Sequence, residues 1–228
     1  MANRWMSGID ISEYQGDINW ARVKQMGIDF AYIRAGVGIT KDKQATRNVS
    51  VSKLRGIPRG VYIYFKPELD VAKQAKILLD ANVDCELIPM IDVEHHGDLT
   101  PKEIVDALTK MVDIIEKAIG KAPVIYTGKW FWDARVKSKK FSRCPLWISQ
   151  YFYYSAQEYK NNPVPVDPRV WGVYARTRLK PDLIAGWDKW SAWQFSAGFN
   201  GVGKRYGMQS ADLDLNLVPP ASYNSMLS

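Results

Sequence analysis

Short apolar runs alternate with helix-like segments along most of the chain, and this alternation limits the possible folds more than any other feature. GIDIS (8–12) precedes DINWARVKQMG (17–27), in which Ile18, Val23 and Met26 form an apolar stripe and Gly27 a stop. FAYIRAG (30–36), a polar stretch and then GVYIYF (60–65) follow. DVAKQAKILLDAN (70–82) reads as a helix leading into ELIPMIDVE (86–94). The clearest helix starts at Thr100, with Pro101 in the first position and Glu103 completing a capping box. Ile104, Leu108, Met111, Ile115 and Ile119 then recur at helical spacing until Gly120. APVIYTG (122–128), PLWISQY (145–151) and WSAWQFS (190–196) read as further strands, and ADLDLNLV (211–218) as a terminal segment near the last. Residues 152–186 are less regular and rich in Tyr and Pro. No internal repeat or linker is visible.

Strands and helices in alternation call for a parallel sheet covered by helices. The predicted architecture is α/β, a TIM-like β/α barrel in a single domain spanning 1–228, with a doubly wound open sheet as the alternative. DISEYQGD, after the first strand, has one glycine, so a dinucleotide-binding sheet has little support.

Lys and Arg outnumber Asp and Glu by 31 to 24, giving a net charge of +7 and a preference for polyanions: nucleic acid, acidic lipid or an anionic cell wall. The basic residues are scattered apart from KSKK (137–140), and no nucleic-acid-binding signature is present, so nucleic acid is not expected as a partner. No segment is long and apolar enough for membrane insertion, and the N-terminal residues lack the apolar run of a signal peptide. The expectation is synthesis in a cytoplasm, with any outside target reached by another route. Cys85 and Cys144 are expected to be buried reduced thiols. Most of the 9 tryptophans are expected to pack the core.

Residues two apart on a strand share a face, so Asp92 and Glu94 project together at the carboxyl end of theirs. The same ends carry Asp10, Arg34, Tyr64, Tyr126, Gln150 and Gln194, which a β/α barrel gathers at one mouth. Clustered carboxyls suit glycoside hydrolysis, because crowding keeps one protonated to serve the leaving oxygen while another stays ionised beside the developing cation. Asp17 and Asp98 read as caps or turn formers instead. His95 and His96 raise metal binding as an alternative, but neighbours on an extended strand point to opposite faces, so at most one joins the acids. No metal or cofactor is expected.

In this order the motifs resemble the glycoside hydrolase family 25 lysozymes, the muramidases common among bacteriophage endolysins. GIDISEYQGDINWARVKQMGIDFAYIRAGVG is similar to the family's first two strands and their helix, and GVYIYF to its third strand. PMIDVE is similar to its Asp-x-Glu motif, and VIYTG, LWISQY and WSAWQFS to later strands. DLDLN is similar to its terminal Asp-x-Asn element. The resemblance implies an irregular barrel and cleavage of the β-1,4 bond between N-acetylmuramic acid and N-acetylglucosamine in bacterial peptidoglycan. It implies Glu94 as general acid, Asp92 as its partner, and Asp10 and Asp214 as supporting acids, with Asp212 the alternate for the last. Tyr62, Tyr64, Tyr126, Gln194 and Arg34 are the implied substrate-binding residues. The setting implied is a monomeric phage or prophage endolysin, reaching the wall after holin-type release or as a virion component. Two departures stand out: Ile63 replaces a common His between the tyrosines of the third strand, and 152–186 is longer than usual, as a lid, an added wall or a protein contact would be. The competing functions are a catalytically inactive wall-binding or virion structural protein on the same barrel, and a metal-dependent polysaccharide deacetylase.

Overall fold

A computed structural model describes residues 4–152, 156–161, 163–197 and 201–227. Its strands are β1 (Met6–Ile11), β2 (Phe30–Val37), β3 (Thr40–Lys41), β4 (Arg59–Tyr64), β5 (Met90–Asp92), β6 (Val124–Gly128), β7 (Leu146–Ser149), β8 (Ala192–Ser196) and β9 (Asp214–Val218). They form one sheet in the order β1-β9-β8-β7-β6-β5-β4-β2-β3, and a β1–β2 pairing closes it into a barrel with β3 outside the ring. Every pairing from β1–β2 round to β7–β8 is parallel, apart from the short β2–β3 hairpin. β9 runs antiparallel to both β1 and β8, so its first residue lies at the mouth where the other ring strands end. The outer layer contains α1 (Trp20–Gln25), α2 (Ala45–Leu54), α3 (Val71–Asn82) and α4 (Pro101–Ile119).

Alternation along the strands sorts apolar side chains into two layers. Ala31, Ile33, Val61, Ile63, Ile91, Ile125 and Ile148 pack outward against Ile104, Leu108, Met111 and Ile115 of α4 and the other helices. Phe30, Tyr32, Met90, Val124 and Trp147 fill the lumen below the mouth. The Tyr32 and Trp147 rings meet edge to face at 4.9 Å, and the Tyr32 hydroxyl donates to the Ile88 carbonyl at 2.8 Å. Two glycines make room for these rings. A Cβ on Gly8 would lie 2.1 Å from the Phe30 ring, and one on Gly60 would lie 2.6 Å from that of Tyr32.

α4 has the predicted start: Thr100 accepts from the Glu103 amide and the Glu103 carboxylate accepts from the Thr100 amide, satisfying two helix-end donors. It stops at Gly120 in the left-handed region, φ 72°. Elsewhere the elements differ from the sequence reading. α1 begins at Trp20 with Asn19 as its cap, and Ile18 instead bridges to Met208. The polar stretch before GVYIYF contains α2, whose buried face includes Asn48 and Ser52 and so carries no clean apolar stripe. β5 is only three residues long; before it, the Leu87 amide donates to the Arg59 carbonyl of β4 at 3.0 Å, Leu87 also bridges to Leu227, and the Ile88 amide donates to the Met226 carbonyl at 2.9 Å. Cys144 is buried but Cys85 only half-buried, and neither forms a disulfide.

Within 152–186, residues 153–155 and 162 lie outside the described residues. The rest forms short helices at Ala156–Asn161, Pro168–Val170 and Trp171–Arg176, seated in the outer layer. Trp171 is fully buried, with its ring 5.7 Å from Phe195 and 5.6 Å from Tyr206, and Ser7 of β1 donates to the Pro168 carbonyl at 2.6 Å. Among the described residues no helix is long and apolar enough to cross a membrane.

Candidate active site

All nine site residues named from the sequence line one cavity of about 290 Å³ at the mouth: Asp10, Arg34, Tyr62, Tyr64, Asp92, Glu94, Tyr126, Gln194 and Asp214. Asp10 and Asp214 are direct partners across the β1–β9 ladder, which the antiparallel course of β9 makes possible. Asp92 ends β5 between its partners Tyr64 and Tyr126. Glu94 lies beyond the strand. The Val93 amide donates to the Tyr126 carbonyl at 2.8 Å and the Thr127 hydroxyl to the Val93 carbonyl at 2.7 Å. These bonds hold the chain extended past β5 and keep Glu94 on the Asp92 side.

Amide side chains order the cluster. Gln194 Oε1 accepts from the hydroxyls of Tyr126 (2.8 Å) and Tyr151 (2.5 Å), which leaves Nε2 to donate to Asp10 Oδ2 at 2.9 Å. Asn216 Nδ2 donates to the same oxygen at 2.7 Å, while its own Oδ1 accepts from the Trp147 indole at 3.2 Å. Asp214 completes the set with a carboxyl hydrogen bond to Asp10. Asn216 and Tyr151 were absent from the sequence-based set.

Burial raises the pKa of all four carboxyls. At Asp10 the bonds from Asn216, Gln194 and Asp214 oppose that rise. Asp92 lies well above the ordinary range, through burial and then the charges of Glu94 and Asp10, with the Arg34 guanidinium opposing. Asp214 is also pushed well up, by burial and the charge of Asp10. Glu94 is raised by burial and by Asp10. Such a cluster retains protons at a pH where an isolated carboxyl would be ionised, and so contains a carboxylic acid able to donate. Asp92 Oδ1 is buried and has no hydrogen-bond partner among the described residues. In a site lined by polar groups, an unpaired buried acceptor points to a donor that a ligand would bring.

Several expectations need correction. Arg34 is not among them: it lines the cavity, with Nε bonded to Asp42 at 2.9 Å and Nη2 to Glu13 at 3.3 Å. Gln150 lines a neighbouring cavity with Trp130 and Tyr151, and its Oε1 accepts from the Asp182 amide at 2.7 Å. Ile63 faces the helices, so its substitution removes no group from the groove. His95 and His96 lie past the strand end, with their rings stacked at 6.2 Å rather than on opposite faces. His95 contacts Glu68 at 3.1 Å, and His96 Nδ1 accepts from the Asp98 amide at 3.0 Å. Among the described residues no group of three or more His, Cys, Asp or Glu side chains is placed to hold a metal ion. No described residue of 152–186 lines the acid cavity. Trp130 is 69% exposed, unlike the core tryptophans.

The sequence model of Glycosyl hydrolases family 25 matches residues 9–203. The chain belongs to this family. YegX, an uncharacterized protein of Escherichia coli K12, is 32% identical over 160 residues, which cover 66% of this chain and 58% of YegX. The match therefore spans less than two thirds of that relative's length. Lysozyme M1 of Streptomyces globisporus is 26% identical over 226 residues, covering 92% of this chain and 67% of the relative. Among solved structures, the Streptomyces coelicolor lysozyme has the same fold at a TM-score of 0.75 and 23% identity, over 97% of this chain and 98% of the other. The spore cortex lytic enzyme SleM of Clostridium perfringens aligns at a TM-score of 0.74 and 26% identity, over 98% of this chain and 69% of the other. The family 25 fold is thus shared with a single-domain barrel of nearly equal length.

Proposed function

We propose that this family 25 hydrolase is a muramidase, which cuts the β-1,4 bond between N-acetylmuramic acid and N-acetylglucosamine in bacterial peptidoglycan. The observation that carries the proposal is the convergence of Glu94 with Asp92, Asp10 and Asp214 in one cavity of a chain from this family. Lysozyme M1, over nearly the whole chain, supports the same reading.

In this mechanism Glu94 is protonated at rest and gives its proton to the glycosidic oxygen as the bond to the anomeric carbon breaks. The unpaired Oδ1 of Asp92 accepts the N–H of the substrate's 2-acetamido group. The acetamido oxygen then attacks the anomeric carbon, and Asp92 stabilises the positive charge on the resulting ring. Water opens that ring, losing a proton to the Glu94 carboxylate, and the anomeric configuration is retained. This use of Asp92 is favoured over direct attack because its carboxyl has a buried acceptor for the acetamido N–H to fill. Asp10, held by two amide donors and Asp214, fixes the charge beside Glu94.

The test is digestion of purified Gram-positive walls followed by borohydride reduction, with and without EDTA. We expect muramitol as the new reduced end and no effect of EDTA. Glucosaminitol would mean the other bond is cut, loss with EDTA would favour a metal-dependent enzyme, and wall binding without cleavage would favour an inactive binder. A phage or prophage endolysin is the finer reading. It rests on the motif resemblance, since the endolysin ply40 catalytic domain of Listeria phage P40, at 17% identity and a TM-score of 0.69, shows the fold alone.

A further inference from the structure

A second cavity of about 300 Å³ adjoins the acid cavity and shares Tyr14 and Arg34 with it. Its charged lining is Glu13, Asp42, Arg34, Lys41 and Lys66. The two acids are already taken by Arg34. Glu68, close by in sequence, faces His95. Lys41 and Lys66 make no ion pair among the described residues, and both line this cavity. The groove therefore has an acidic centre and, next to it, an end whose charged lining is net positive by one, with Lys41 and Lys66 as the cations outside any ion pair.

Both lysines stand on fixed backbone. The fully buried amide of Gln74 clamps Lys66, with Oε1 accepting from its N–H at 3.0 Å and Nε2 donating to its carbonyl at 2.8 Å. Lys41 is held in β3 opposite Gly36, where a Cβ would lie 2.5 Å from the Thr40 carbonyl oxygen. Ile39 and Leu69 add apolar surface to the same cavity.

A peptidoglycan strand is uncharged along its sugars except where muramic acid carries its lactyl branch, which in walls continues into a peptide with free carboxylates. The carboxylates that stay ionised at the cutting site repel such carboxylates, so a substrate seated there needs its branch directed onto positive charge. We propose that Lys41 and Lys66 form a carboxylate-binding subsite for the acidic peptide branch of the substrate's muramic acid, with Ile39 and Leu69 packing on the peptide's small apolar side chains. This rests on the muramidase reading and adds the part of the substrate that the barrel mouth selects.

The test compares kcat and KM of the wild type and a Lys41→Ala/Lys66→Ala double variant on three substrates. These are intact walls, walls with carboxyls amidated by carbodiimide, and glycan stripped of peptide by an amidase so that only the lactyl carboxylate remains. We expect the wild type to favour intact over amidated walls by about tenfold in kcat/KM, the gap narrowing as salt rises. The double variant should lose that advantage through a higher KM, with kcat and melting temperature retained. Stripped glycan cleaved at the amidated rate assigns the subsite to the peptide; cleavage at the intact rate assigns it to the lactyl carboxylate. Equal wild-type rates on intact and amidated walls, or a variant that keeps the wild-type preference, would overturn the subsite. No new muramic acid ends from any substrate with wild-type protein would instead overturn the muramidase reading, and the subsite with it.

Discussion

Asp92 joins the stability of this chain to its chemistry. It and the other three carboxyls hold protons more tightly in the folded chain than in the unfolded one. Folding therefore takes up protons above the ordinary carboxyl pKa of about 4, and stability falls as pH rises from there through the raised values. Asp92→Asn removes one member of the cluster and should raise the melting temperature at pH 7 by about a few degrees, with little gain at pH 4. Thermal melts at both pH values check this, and an equal or lower melting temperature at pH 7 would contradict it. Tyr151 acts through Gln194, since removing its hydroxyl leaves the amide oriented by Tyr126 alone. Tyr151→Phe should lower kcat roughly three- to tenfold with KM little changed, read from steady-state rates on soluble wall fragments. Strand position made Asp10, Tyr64 and Gln194 legible, Tyr62 came from the family resemblance alone, and alternation also held the signal for Asn216, two residues after Asp214. Tyr151 carried the same signal, four residues after the lumen-facing Trp147, but the reading took its neighbour Gln150 as the inward residue. The histidines misled for a related reason: the bonds at Val93 carry the alternation past β5 as far as Glu94, and His95 and His96 lie beyond them.

At the level of elements, local signals translated directly and non-local ones did not. α4 was legible because its cap, periodicity and stop lie within its own sequence. α2 was not, since its buried face includes Asn48, which accepts from the Trp20 indole at 3.3 Å, a contact made only after folding. The direction of β9 was hidden as well, because it depends on pairing with β1 and β8. Thr100→Ala should cost about 1 kcal/mol and leave activity intact, as urea unfolding would show. Gly60→Ala should cost more, about 1–3 kcal/mol, because the Tyr32 ring must move within a packed lumen. A Gly60→Ala chain as stable as the wild type would mean that the lumen is less tightly filled than described.

For the molecule as a whole, barrel closure is what makes the site. Asp10 and Asp214 come from opposite ends of the chain and meet because β9 inserts between β8 and β1. The described residues of 152–186 serve this closure from outside, burying Trp171 against β8 and tying Pro168 to β1, and none of them lines the acid cavity. The central claim is that the acid cluster at this mouth cuts the glycan with Glu94 as the proton donor. Its most direct test is the rate at which purified walls gain reducing ends with wild type and with Glu94→Gln, after circular dichroism shows that both are folded. The account predicts a loss of at least about a hundredfold in kcat with wall binding retained. A Glu94→Gln chain that releases reducing ends at the wild-type rate would contradict it.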